Sequence, residues 1–200
     1  MKVLQEEIAL FDMDGTLCDY DKAMQRDMNK LKCPQEILPK DFYEKNTPRY
    51  LIERTDLIKN QPGWWENLEK FKLGFDILKI TKKLGFKTYI LTKGPSSKSN
   101  AWAEKVKWCK KNIPDASITI TEDKGIAYGK ILVDDYPTYI KRWLENRPRG
   151  LVIMPSHEYN KDFKHPNVIR YDGTNLQEII SAIKQARLRR PKENIFINKP

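Results

Sequence analysis

Two aspartates one residue apart, Asp12 and Asp14, close a short apolar run and are followed at once by Gly15 and Thr16. A carboxylate in such a place can act as a nucleophile, because an aspartyl-phosphate splits one hard displacement into two easier ones. A second carboxylate beside it can protonate the leaving oxygen and later activate water. Gly15 gives the backbone freedom for a turn that aims both at one point. Further along, each after or beside an apolar run, come Thr92-Lys93-Gly94, Lys124 and Asp134-Asp135. A hydroxyl and an ammonium there would grip and neutralise a transferring phosphoryl group. Carboxylates crowded together repel; a hard cation relieves this, and oxygen donors with a phosphate task favour Mg²⁺. Taken singly, Asp12 and Asp14 also suit a turn cap, Thr92 a plain turn residue, and Lys93 and Lys130 compete with Lys124 as the amine.

The elements that must position these groups are legible as apolar runs: 8–11, 88–91, 117–120, 131–133, 151–154 and 168–169. Near-continuous β-branched and aromatic runs suit strands buried on both faces of a parallel sheet. Helical patterns lie between or after them at 75–84, 98–111, 137–145 and 175–188. Strands alternating with helices specify an α/β fold, here a three-layer, Rossmann-like parallel sheet. In such a sheet ligands lie outside the carboxyl ends of the strands, which is where the polar groups named above fall.

One interval breaks the rhythm. Between the first two strands the chain spends far more than the dozen or so residues a crossover needs. Residues 19–76, punctuated by Pro34, Pro39, Pro48 and Pro62-Gly63, read as a small helical cap inserted after the first strand. The expected division is an α/β core of residues 1–18 and 77–190, the cap, and a basic, loosely ordered tail at 191–200.

Composition bounds the partners. The 200 residues carry a formal net charge of +10, and residues 181–200 hold six bases against one acid. A basic surface attracts polyanions, so nucleotides or nucleic acid are compatible, although a solvated tail is the simpler reading of the last residues. No apolar stretch is long enough to span a bilayer, and the first residues carry acids where a signal peptide is apolar. Cys18, Cys33 and Cys109 share no Cys-x-x-Cys spacing, which argues for reduced thiols and a cytoplasmic setting. His157 and His165 fall in a late loop and read as solvated.

At the chemistry-bearing residues the chain resembles the haloacid-dehalogenase-like (HAD) superfamily. Asp12-Met13-Asp14-Gly15-Thr16 matches its first motif, Thr92 its second, Lys124 its third and Asp134-Asp135 its fourth, in the family's order. The resemblance implies that Asp12 is nucleophile and Mg²⁺ ligand, and that Asp14 is general acid/base and binds the metal through its backbone carbonyl. It implies that Thr92 and Lys124 hold the phosphoryl oxygens. Asp135 aligns with the usual metal ligand, with Asp134 beside it. An aspartate at position 14 is typical of the phosphatases in that superfamily.

Within it, the chain looks most like the small 5′(3′)-deoxyribonucleotidases. The stretches that carry this are 11–20, 62–68, 89–92, 101–105, 121–124 and 132–135. In that group aromatics pack around the nucleobase, and Tyr20, Trp64 and Trp65 occupy the matching places. Flat rings stack on a base without demanding a particular one; core packing of the cap is the competing reading for both tryptophans. Lys93-Gly94-Pro95 departs from the group's pattern, and an added ammonium at Lys93 suits a more anionic substrate. Three expectations follow: a nucleotide phosphatase, a phosphatase of nucleic-acid ends or another phosphorylated metabolite, and a nucleic-acid-binding protein without catalysis.

Overall fold

The computed structural model describes residues 7–39, 42, 46–94 and 99–189. The tail at 191–200 and Lys98, the first residue of the helical pattern expected at 98–111, lie outside them. All six expected runs form strands: β1 (Ile8–Phe11), β2 (Lys87–Thr92), β3 (Ser117–Ile120), β4 (Ile131–Val133), β5 (Leu151–Pro155) and β6 (Val168–Tyr171). They make one parallel sheet in the order β3-β2-β1-β4-β5-β6. Helices α1 (Tyr20–Leu31), α2 (Arg49–Lys59) and α3 (Lys72–Lys83) fall between β1 and β2, and α4 (Ser99–Asn112) between β2 and β3. Helix α5 (Pro137–Asn146) links β4 to β5, and α6 (Leu176–Leu188) follows β6.

The period-two alternation of the strands divides the core. Ala9, Phe11, Ile90, Ile131, Val133 and Ile153 pack on one side, with Ile77 and Leu78 of α3, Trp108 of α4 and Ile179 and Ile183 of α6. Leu10, Leu91, Leu132 and Val152 pack on the other, with Ile140, Trp143 and Leu144 of α5. The result is three layers, as the run pattern requires.

Helix α3 starts at Lys72, earlier than the apolar periodicity at 75–84 and inside the expected cap boundary at residue 76. Tertiary contact sets that start: the Phe71 amide donates to Leu17 O and the Asp19 amide to Glu69 O, both at 2.8 Å. The chain leaving β1 and the chain entering α3 are thus paired to one another, bridged at Cys18 and Lys70. Gly74 permits the close approach. A Cβ there would sit 1.7 Å from the Thr16 carbonyl oxygen, so only glycine lets α3 rest on this loop.

Candidate active site

The strand order reverses between β1 and β4, and this switch point is where an α/β sheet opens a crevice. Asp12 leaves β1 there and its amide donates to Val133 O at 2.8 Å, so the sheet itself fixes its backbone. The loop then folds on the Met13 carbonyl, which accepts from the amides of Leu17 and Cys18 at 2.8 Å each. Gly15 takes φ 69°, and a Cβ on it would lie 2.6 Å from Asp135 Oδ2. Both the left-handed backbone and the space require glycine. Thr16 donates its hydroxyl to Asp135 Oδ1 at 2.7 Å.

Asp134 and Asp135 leave β4 next door and are buried, as is Asp12. Lys124, 1% exposed, lies between two of these carboxylates, 2.9 Å from Asp12 Oδ1 and 2.7 Å from Asp134 Oδ2. A 3₁₀ turn at Lys124–Ile126 presents it, capped by Asp123, whose Oδ1 accepts from the Gly125 amide at 2.8 Å. Arg142 of α5 pairs with Asp123 at 2.7 Å and ties that turn to the helix. Of the three lysines in competition, geometry selects Lys124 as the one touching Asp12. Lys130 instead serves the other end of β4, bonded to Glu7 and to the carbonyls of Arg187 and Arg189. Burial alone would lower the Lys124 pKa, but the charges of Asp12 and Asp134 outweigh it and raise it.

Ligand oxygens of Asp12, Asp134 and Asp135 all lie within 4.8 Å of one another. Burial, with the neighbouring carboxylates, pushes Asp134 up to about 8 and Asp135 up to about 6. Among the described residues two ammoniums pair with these four aspartates, Lys105 with Asp14 and Lys124 with Asp12 and Asp134, and no lysine or arginine pairs with Asp135. An all-oxygen cluster of this kind fits a hard divalent cation.

Asp14 is partly exposed. Its Oδ2 receives a hydrogen bond from Lys105 Nζ at 2.5 Å, and the Cys18 sulfur lies 3.8 Å from its Oδ1. Burial raises the Asp14 pKa, Lys105 opposes this and Asp12 adds to it. Burial and then Asp14 hold the Cys18 thiol well above its ordinary value, which disfavours the reactive thiolate. Lys105 also donates to Lys93 O at 2.9 Å and lies 3.4 Å from Thr92 Oγ1. Thr92, the last residue of β2, is buried beside the carboxylates. Lys93 is exposed, its Nζ 5.8 Å from the centre of the Tyr139 ring, so the structure puts it on the rim.

Several groups that complete the site carry no sequence signal. Tyr159 donates its hydroxyl to Asp135 Oδ2. Asn160 donates to the carbonyls of Asp135 and Pro155, both at 2.9 Å. His157 corrects the expectation of a solvated ring. It is stacked against Phe71 and Tyr159, its Nε2 lies 2.6 Å from Gly15 O and its Nδ1 3.0 Å from Asp21 Oδ2. His165 is exposed, as expected.

Tyr20, Trp64 and Trp65 come together as one aromatic cluster with ring centroids 4.9–5.7 Å apart. Both indoles are buried and their N–H groups are taken, Trp64 by Asp27 Oδ2 and Trp65 by Lys59 O. The Trp65 face is covered by Lys105, whose Nζ lies 4.4 Å from the ring centre. Tyr20 is only half-buried.

Comparison with known proteins was consistent with this geometry. A family model described as 5′ nucleotidase, deoxy (pyrimidine), cytosolic type C protein matches residues 6–188. A search of curated proteins finds no match. Solved structures of similar fold include a haloacid dehalogenase-like hydrolase from Burkholderia xenovorans LB400, with TM-score 0.53 and 12% identity, over 92% of this chain and 100% of that one. The HAD-hydrolase YfnB from Bacillus subtilis, bound to magnesium, has TM-score 0.54 and 16% identity over 88% and 99% of the two chains. A HAD family hydrolase from Deinococcus radiodurans R1, with bound phosphate and sodium, has TM-score 0.54 and 11% identity over 93% and 98%. At these identities the structural likeness is one of fold.

Proposed function

The chain belongs to the cytosolic type C 5′-nucleotidase family of HAD-like phosphatases, and from that premise we propose that it hydrolyses nucleoside monophosphates with Mg²⁺, through an aspartyl-phosphate on Asp12. One observation carries the reading: Lys124 bridges Asp12 and Asp134 in a buried cluster, with Asp14 and Thr92 alongside. Binding alone needs no such nucleophile and no acid/base partner.

The Asp12 carboxylate attacks phosphorus as the ester P–O bond breaks, and Asp14 gives its proton to the departing oxygen. In the second half Asp14 takes a proton from the water that attacks the aspartyl-phosphate, releasing inorganic phosphate and regenerating Asp12. Lys124 and Thr92 hold the phosphoryl oxygens, and Lys93 on the rim adds positive charge at the mouth of the site. Mg²⁺ would be held by the carboxylates of Asp12 and Asp135 and the Asp14 carbonyl, and would supply charge neutralisation at the phosphoryl group. Asp134 fits the outer place in that set, because the Lys124 ammonium already pairs with its Oδ2, whereas the hydrogen-bond partners of Asp135 are the neutral hydroxyls of Thr16 and Tyr159.

The segment between β1 and β2 acts as the cap in this reading. Tyr20 has surface left for a base, and Trp64 and Trp65 pack behind it as support. No helix among the described residues is long and apolar enough to cross a membrane, and Cys18, Cys33 and Cys109 are free thiols, which suits a cytoplasmic setting.

The test is a phosphate-release screen over ribo- and deoxynucleoside monophosphates, 3′- and 5′-phosphorylated oligonucleotides and sugar phosphates. Turnover of the mononucleotides is the expected result. Preference for oligonucleotides, with affinity falling steeply as salt rises, would replace the substrate with nucleic-acid ends.

A further inference from the structure

Helix α4 carries a lysine on its buried face. Ala101, Lys105, Trp108 and Cys109 follow helical spacing and all are 3% exposed or less. A buried ammonium needs partners, and Lys105 has them from three different parts of the chain. It donates to Asp14 Oδ2 at 2.5 Å and to Lys93 O at 2.9 Å, and covers the Trp65 ring at 4.4 Å. The residue before it faces the same turn: Glu104 accepts from the amides of Gly63 at 2.7 Å and Trp65 at 3.2 Å. Two successive side chains of α4 therefore grip the 63–65 turn, one through its backbone and one through its ring. One of the two also holds Asp14.

We propose that Lys105 is a positioning residue for leaving-group protonation, and that Glu104 keeps it in place by docking the 63–65 turn over it. This rests on the phosphatase reading above. When the ester P–O bond breaks, the proton of Asp14 moves to the leaving oxygen and Asp14 becomes a carboxylate. The Lys105 ammonium already lies against the oxygen on which that negative charge appears. It stabilises the charge at the moment of transfer without reorganisation, and it fixes the carboxyl in one orientation. Its help is needed in proportion to how badly the leaving group requires a proton. It also links the acid/base to the inserted segment, because Trp65 and Asp14 share one cation.

The experiment compares wild type, Lys105→Met and Glu104→Gln on a nucleoside monophosphate and on a series of aryl phosphates of graded leaving-group acidity. Wild type must first release phosphate from the nucleotide and from p-nitrophenyl phosphate; if it releases none from either, the phosphatase reading fails before this one is reached. For Lys105→Met we expect kcat on the nucleotide to fall roughly 30- to 100-fold with KM within about threefold, whereas p-nitrophenyl phosphate, whose phenolate leaves unprotonated, loses roughly threefold or less. Rates along the aryl series should then depend more steeply on leaving-group pKa. Glu104→Gln, which leaves the ammonium in place, should show the same split at roughly 3- to 10-fold. Equal losses on all substrates would overturn the proposal and make Lys105 a phosphate ligand; unchanged kinetics would overturn it outright. Should Lys105→Met fail to fold by circular dichroism, Glu104→Gln alone decides between these outcomes.

Discussion

The Thr16 hydroxyl donates to Asp135 Oδ1 over 2.7 Å, joining the loop after β1 to the loop after β4 across 119 residues of sequence. On the other Asp135 oxygen the Tyr159 hydroxyl does the same. Outer partners of this kind orient a ligating carboxylate, and losing one costs roughly 10-fold or more in metal affinity. Thr16→Val, which keeps the shape, is therefore expected to move the Mg²⁺ concentration for half-maximal activity upward by about that factor. An unchanged Mg²⁺ titration would break the link between Asp135 and the metal.

Asp12→Asn keeps the volume of the side chain and removes the nucleophile. Hydrolysis of p-nitrophenyl phosphate should fall by roughly 10⁴-fold or more, as for other nucleophile deletions. The fold should survive, since the asparagine can still accept from Lys124. Activity within tenfold of wild type would sink the aspartyl-phosphate route.

Lys124→Met leaves Asp12 and Asp134 buried without their shared counter-charge. Removing one partner of a buried ion pair costs about 3–5 kcal/mol. The loss should be seen in urea unfolding in EDTA and should shrink when Mg²⁺ is present, because the metal replaces part of the missing charge. Equal losses with and without Mg²⁺ would argue that the ion does not bind among these carboxylates.

Gly74→Ala reverses the usual sign. Alanine in a helix interior is ordinarily better than glycine by about 1 kcal/mol. Here the added carbon would meet Thr16 O at 1.7 Å, so α3 must lift from the loop. We expect a net destabilisation of about 1–3 kcal/mol, the range for overpacking, together with reduced kcat. A raised denaturation midpoint would refute the close approach.

His157 makes stability pH-dependent. Burial lowers its pKa, but the hydrogen bond to Asp21, the charges of Asp135 and Asp21 and the Gly15 carbonyl outweigh that and raise it above the ordinary 6.5. A group raised on folding contributes stability that is fully present below its unfolded pKa and lost as pH rises through the folded value. With saturating Mg²⁺, the gap in melting temperature between wild type and His157→Gln should be widest at pH 6 and below and close as pH rises beyond 6.5. A gap that grows with pH would contradict this assignment.

The fold was legible because each strand is an apolar run buried on both faces, a pattern that local sequence states without help from the rest of the chain. The carboxylates and Thr92 were legible for the same reason, since they follow those runs directly. Lys124 was harder to separate from Lys93 and Lys130, because the choice depends on where a loop returns. The return places Lys124 on Asp12, while Lys130 goes to Glu7. Lys105 could have been found from its place in the apolar spacing of α4, a lysine where a leucine would be expected. His157 could not. Its environment is made by Phe71, Tyr159, Asp21 and Gly15, and all but Tyr159 lie far away in sequence.

Asp12, Asp134 and Asp135 directly follow neighbouring strands, β1 and β4, that are hydrogen-bonded in register. Parallel strands run about 4.8 Å apart whatever side chains they carry, so the sheet acts as a ruler for the carboxylates. Their spacing is thus independent of the sequence inserted after β1. A designer could exchange that insert for one shaped to another phosphate ester and retain the chemistry, provided the graft kept the 63–65 turn on Glu104 and Lys105, rejoined the chain before Gly74 and kept its seam with Thr16.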